Sequence, residues 1–361
     1  MPDIVVVAGA RPNFVKVAPL LRVLRARPGV RAPLVHTGQH YDDALSRRFF
    51  DDLRLPPPDV NLEVGSATHG AQTAECLRRF EEFLLRGRAD AVVVVGDVNS
   101  TLAAALAAAK LGIRVAHVEA GLRSFDRTMP EELNRRLTDA LSDLLFVTEE
   151  SGRRNLLREG VPEERIHLVG NVMIDTLDEM RAACSRSDAL GRLGLRPRGF
   201  GVVTLHRPSN VDDRATLDGV LEALGAIARD GLPLVWPVHP RTRARLEGRA
   251  IPEGLRAVDP LGYVDFMRLL SEAALALTDS GGVQEEALVL GVPCVTLREN
   301  TERPVTIEMG GNALAGSDPA RIQAAAREAR AGGTGTIRRP PLWDGHAAER
   351  IVDVLLGGAR A

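Results

Sequence analysis

Short Val-rich runs such as AVVVV at residues 91–95 alternate along this chain with amphipathic stretches of helical length. A strand buried on both faces is a continuous apolar run, and its repeated alternation with helices builds a parallel sheet with crossover helices. The pattern predicts strands over residues 4–7, 33–36, 91–95, 115–118, 144–147 and 166–169. It restarts after Gly170, with strands over 201–204, 234–238, 257–258, 275–277 and 294–297. The fold class is therefore α/β, with two Rossmann-like doubly wound parallel-sheet domains facing a cleft. The first is expected over residues 1–170. The join is expected between 170 and 198, where a helix is followed by LGLRPRGFG.

Residues with chemical potential cluster where these strands end: Arg11, the TGQH segment, Gly96 with Asp97, Glu119, His206, His239, and DSGG from Asp279. Open parallel sheets bind ligands at the carboxyl ends of their strands. In TDSGGVQEEALVLGVP a strand runs into Ser280, Gly281 and Gly282, and a helix is expected from about Val283. Free N–H groups at a helix start favour an anion, and glycines let a phosphate approach the backbone. Glu286 lies four residues beyond Gly282, on the same helical face, where a carboxylate suits a pair of ribose hydroxyls. Taken alone, the triplet is equally a glycine turn before a surface helix. VVVAGARPNF lacks the G-x-G-x-x-G fingerprint, which disfavours NAD. Its turn instead carries Arg11 and then Lys16, one of two lysines in a chain otherwise supplied with arginine. For either cation alone, a solvated helix-start residue is the favoured reading.

Asp97, Glu119 and Glu131 are candidate proton carriers, Asp97 and Glu119 because each ends a buried run. Pro130 suits the first position of a helix and brings Glu131 to its N-terminus. His206 and His239 are candidate phosphate donors, although for His239 a satisfied core histidine is the favoured reading. The net charge of −2 supplies no global field for nucleic acid or an anionic membrane. The opening MPDIVVVAGA lacks the features of a signal peptide and no apolar run is long enough to span a bilayer, so a cytoplasmic location is expected. Cys76, Cys184 and Cys294 have no paired spacing and are expected in the core.

GARPNFVKVAPL, TGQHYD, VVGDVNSTLA, HVEAGLRS, MPEELNRRLTD, VGNVMIDTL, TLHRPSNVDD, PVHPRT, LTDSGGVQEEA and LRENTERPV together resemble, in order and spacing, the non-hydrolysing UDP-N-acetylglucosamine 2-epimerases. The resemblance covers nearly the whole chain. It implies a glycosyltransferase-B-like fold, a second domain over residues 171–346, and a last helix within 347–361 that crosses back to the first domain. It also implies a cytoplasmic homodimer acting on a UDP-sugar, with neither metal nor other cofactor. By this resemblance Arg11, His206, Ser280, Gly281, Gly282 and Arg303 serve the diphosphate region, with His206 counted among the catalytic groups. Glu286 serves ribose, Leu261 and Phe266 lie near uracil, and Lys16, Asp97, Glu119 and Glu131 act on the sugar.

The reaction implied is reversible inversion at C2 through elimination of UDP to 2-acetamidoglucal and re-addition, supplying precursors of cell-surface polysaccharides. The segment SFDRTMPEE, with Arg127, and Val305 in TERPV resemble the subgroup that includes epimerases of UDP-2,3-diacetamido-2,3-dideoxyglucuronate. Gln39, Arg207 and His239 resemble part of a neighbouring site through which the bacterial type is activated by its own substrate, while Tyr41 and Asp42 depart from that pattern.

Overall fold

The computed structural model of the protein describes residues 1–38, 50–332 and 337–357, apart from the side chains of Arg11, Pro240 and Arg241. Gln39 and the Arg11 side chain thus lie outside the described residues. The chain divides into two compact units, Met1–Glu179 with Pro341–Ala361, and Met180–Pro340.

In the first unit the elements run β1 (Ile4–Ala8), α1 (Arg11–Ala26), β2 (Leu34–His36), β3 (Val60–Asn61), α2 (His69–Arg86), β4 (Ala91–Val95), α3 (Asn99–Lys110), β5 (Arg114–Ala120), α4 (Pro130–Leu141), β6 (Leu144–Val147), α5 (Glu150–Arg158), β7 (Ile166–Leu168) and α6 (Val172–Arg186). The strands form one parallel sheet ordered β3-β2-β1-β4-β5-β6-β7. Val5, Val7, Val92 and Val94 pack on an alanine face of α3 made by Ala104, Ala105, Ala107 and Ala108. Such small side chains let a helix lie close to the sheet. The chain order reverses between β1 and β4, the position at which a doubly wound sheet opens a crevice at its carboxyl edge.

In the second unit the order is α7 (Ala189–Arg192), β8 (Gly201–Thr204), α8 (Pro208–Val211), α9 (Arg214–Arg229), β9 (Leu234–Pro237), α10 (Pro240–Leu246), β10 (Leu255–Val258), α11 (Tyr263–Glu272), β11 (Leu275–Thr278), α12 (Gly281–Leu290), β12 (Cys294–Thr296), α13 (Val305–Glu308), β13 (Asn312–Leu314) and α14 (Pro319–Gly332). These strands form a second parallel sheet ordered β10-β9-β8-β11-β12-β13, with its reversal between β8 and β11. Leu217, Leu221 and Leu224 on α9 pack into the core around Trp236. Asp213 starts that helix by accepting the Thr216 N–H at 2.8 Å.

The last described helix, α15 (Ala347–Gly357), belongs to the first unit and packs on α1. Asp175 on α6 accepts the Ala347 and Ala348 N–H groups at 3.1 and 2.7 Å, satisfying two donors at the start of α15. The division at Glu179 falls inside α6. All three cysteines are buried, as expected, and burial pushes the Cys76 and Cys294 thiols up to about 12. Strands β3 and β13 were not expected, and two further details depart from expectation. Helix α12 begins at Gly281 rather than near Val283, and Glu119 lies within β5 rather than past its end.

Candidate active site

In the first unit the site grows from the turns after β1 and β4 and from the end of β5. Asn13, in the first turn of α1, accepts the Gly9 and Ala10 N–H groups at 3.2 and 2.9 Å and donates to the Val95 carbonyl at 3.2 Å. One amide side chain thus fastens the β1 turn to the end of β4. One turn further along α1, Lys16 is buried and ion-paired with the buried carboxylate of Glu119. Glu119 sits on a bulge where the pairing of β5 with β6 slips, and its φ is +74°. A glutamate in the left-handed region is costly and persists only where surrounding contacts enforce it, as occurs at functional sites. Gly96 lies against this pair: a Cβ there would stand 3.2 Å from Lys16 Nζ and 3.4 Å from Glu119 Oε2, and its φ of +68° also favours glycine.

Asp97 follows Gly96 and is half-buried. Its carboxylate pairs with Arg135 on α4, and its carbonyl accepts the Asn134 amide at 2.9 Å. Helix α4 starts at Pro130, as predicted, and places Glu131 half-buried in its first turn. The fully buried acid is the next residue. Glu132 accepts from the Ser124 N–H and hydroxyl at 2.9 and 3.0 Å and pairs with Arg135 at 2.6 Å. Asp97 and Glu119 therefore stand at the ends of adjacent strands, with a buried ammonium beside one and a guanidinium beside the other.

In the second unit, Asp279 at the end of β11 organises the loop after β8. It accepts the N–H groups of His206 and Arg207 at 3.0 and 2.9 Å, the Asn210 amide at 3.2 Å, and approaches His206 Nδ1 at 3.0 Å. Burial alone would disfavour its charge, but the His206 ring and these backbone donors outweigh burial and hold the carboxyl below its usual range. His206 is exposed and half-buried Arg207 follows it. The favoured core reading of His239 is corrected: it follows β9 immediately before α10 and is exposed, its ring centroid 6.4 Å from that of His206.

Ser280 is the N-cap of α12, and its hydroxyl is not used to cap the helix. Gly281 and Gly282 form the first turn, leaving a positive helix end with backbone donors. Arg303 is buried beside Gly281, paired with Glu285 at 3.1 Å and Glu302 at 2.7 Å. Glu302 also pairs with Arg298 at 2.7 Å and lies 3.7 Å from Arg207. Deeper on α12, Glu286 accepts the Tyr263 hydroxyl at 3.1 Å. Burial, opposed by that hydrogen bond and reinforced by the Glu285 charge, pushes its carboxyl up to about 8. Leu261 and Phe266 flank Tyr263 in sequence and are half-buried.

Sequence reasoning did not single out Arg135, Asn134, Glu132, Asn13 or Tyr263. A usable signal existed for Tyr263, since a buried carboxylate needs a donor and the chain has only two tyrosines. Among the described residues no helix is long and apolar enough to cross a membrane.

A family model described as UDP-N-acetylglucosamine 2-epimerase matches residues 22–356. The UDP-N-acetylglucosamine 2-epimerase of Methanocaldococcus jannaschii is 42% identical over 363 residues, 98% of each chain. A UDP-2,3-diacetamido-2,3-dideoxy-D-glucuronate 2-epimerase of Pseudomonas aeruginosa is 41% identical over 327 residues, 90% of this chain and 91% of that protein. The crystal structure of the M. jannaschii epimerase in complex with UDP-GlcNAc and UDP is similar with a TM-score of 0.93 at 40% identity, covering 99% of this chain and 100% of that one.

Proposed function

The chain belongs to the UDP-N-acetylglucosamine 2-epimerase family, and on that premise we propose that it reversibly inverts C2 of UDP-N-acetylglucosamine to give UDP-N-acetylmannosamine. The observation that carries this reading is the placement of Asp97 and Glu119 at adjacent strand ends, Glu119 on a strained bulge and paired with Lys16. A pyranose C2–H has no neighbouring carbonyl, so direct proton exchange is prohibitively slow. Elimination avoids that barrier: a carboxylate takes the C2 proton, the C2–H electrons become the C1–C2 double bond, and the C1–O electrons leave with UDP. Re-addition of UDP, with a proton delivered to the opposite face of C2, completes the inversion.

In this reading Asp97, Glu119 and Glu131 share the proton transfers, and Lys16 stabilises the negative charge of the group beside it. Ser280, Gly281, Gly282, Arg303 and Arg11 hold the diphosphate, with His206 as a catalytic donor to it as it leaves. Glu286, held by Tyr263, takes the ribose hydroxyls, and Leu261 with Phe266 takes uracil. The reading extends to a cytoplasmic homodimer, which exposed apolar Phe125, Leu133 and Leu137 at and before α4 support. Gln39, Arg207 and His239 are candidates for substrate activation. Exposed Arg127, four residues before Glu131 in sequence, favours a second reading in which the sugar carries a C6 carboxylate, as in UDP-2,3-diacetamido-2,3-dideoxyglucuronate.

The test is proton NMR of the protein with UDP-N-acetylglucosamine in deuterium oxide, without added metal or nicotinamide. Growth of UDP-N-acetylmannosamine to a stable mixture with deuterium at C2 is expected. Lasting release of UDP with free N-acetylmannosamine would overturn it in favour of hydrolysis. No change, combined with turnover of the diacetamido-glucuronate, would establish the second reading.

A further inference from the structure

We propose that His117, a fully buried residue of β5 that touches none of the candidate reacting groups, is a positioning residue holding the Gly96–Asp97 turn in register with Glu119. The inference rests on the epimerase reading for its kinetic consequence, and on geometry for the placement. His117 Nε2 lies 2.8 Å from the Gly96 carbonyl and Nδ1 lies 2.7 Å from Asp139 on α4. A carbonyl and a carboxylate are both acceptors, so each ring nitrogen faces a group to which it can donate. Asp139 accepts in addition from Arg123 at 2.7 Å and from the Gly121 N–H at 3.1 Å, and Arg123 continues to Glu159 at 2.6 Å. Burial disfavours the Asp139 charge, but His117 and Arg123 outweigh it and hold the carboxyl below its usual range.

The consequence for the site lies in Gly96. Its N–H donates to the Val118 carbonyl at 3.0 Å and its carbonyl accepts from His117, so both ends of this residue are tied to β5. Its open Cα face adjoins the Lys16–Glu119 pair, and the next residue is Asp97. The same helix fixes the other side of that aspartate. Residues 132, 135 and 139 share one face of α4, from which Arg135 grips Asp97 and Asp139 grips His117. Two tethers from one helix thereby set the spacing of Asp97 and Glu119. An error of about 1 Å in such a pair costs roughly 100-fold in rate.

Two amide variants separate the two donors. His117→Gln keeps a donor where Nε2 stood, toward Gly96, whereas His117→Asn keeps one only where Nδ1 stood, toward Asp139. Steady-state epimerisation is expected to show kcat falling about 100-fold for His117→Asn and no more than about 10-fold for His117→Gln, with KM and UDP affinity within about twofold of the parent. A general folding defect would instead follow melting temperature and not the identity of the retained donor. Nitrogen-15 NMR of histidine-labelled parent protein provides a readout independent of folding and turnover, and is expected to show a proton on His117 Nε2, which faces the Gly96 carbonyl. Turnover of both variants within twofold of the parent, or a bare His117 Nε2, overturns the proposal. Failure of the parent to exchange the C2 proton overturns the epimerase reading instead, and leaves the NMR result to decide the placement of His117.

Discussion

Lys16 on α1 and Glu119 on β5 form a buried ion pair across 103 residues of sequence. Removing one member of a buried pair leaves the other charge uncompensated, a loss of about 3–5 kcal/mol. Lys16→Met is therefore expected to lower unfolding free energy by roughly that amount in urea titration. Adding Glu119→Gln to it should recover most of the stability without restoring turnover. A double variant no more stable than Lys16→Met would show that the pair is not the source of the loss.

The carboxylates are distinguished by what holds them. Asp97→Asn and Glu119→Gln keep size and most hydrogen-bond partners while removing the ability to carry a proton. Each is expected to lose about 100-fold or more in kcat, with UDP affinity little changed. Glu131→Gln should also lose turnover. Glu132→Gln should mainly lose stability, because Glu132 satisfies Ser124 and Arg135 in the interior. Near-normal turnover of folded Asp97→Asn and Glu119→Gln would remove both from the mechanism.

Strands buried on both faces are legible because each is an uninterrupted apolar run, and the predicted runs match β1, β4 and β6 almost residue for residue. Strands β3 and β13 have two and three residues and offer no run to read. The choice between Glu131 and Glu132 depends on helix phase, which two consecutive acids after a proline do not specify. His117 carried a usable signal. A titratable side chain inside a buried run requires partners, but the partners, Asp139 and the Gly96 carbonyl, come from separate elements. His239 departs from its core reading for the converse reason: the buried run of β9 ends before it, and it stands exposed immediately before α10.

Glu286 makes the protein pH-sensitive in a defined direction. Its carboxyl is raised from an ordinary 4.5 to about 8, so the folded state holds a proton that the unfolded chain has lost over this interval. Stability from this group is fully present below about 4.5 and is lost as pH rises through about 8. Melting temperature is expected to fall over that window in the parent and to fall less in Glu286→Gln. Ribose hydroxyls donating to this carboxyl favour its charged form. Calorimetric binding of UDP near pH 7.5, compared between buffers of different ionisation enthalpy, should therefore show proton release that Glu286→Gln abolishes. Proton uptake would contradict the ribose assignment.

Gly281 tests the diphosphate assignment with little disturbance of the fold. A Cβ there would lie 2.8 Å from Arg303 Nη1 and 3.0 Å from Glu302 Oε1, too close for the buried guanidinium to keep its position. Alanine suits the first turn of a helix, so α12 itself should form normally. Gly281→Ala is expected to weaken UDP binding about tenfold, or about 1.4 kcal/mol, by shifting Arg303 and filling the space over the first N–H groups. Uridine, which lacks the diphosphate, should bind the variant and the parent alike. Equal losses for the two ligands would place Gly281 away from the phosphates and return the anion-binding role to other residues.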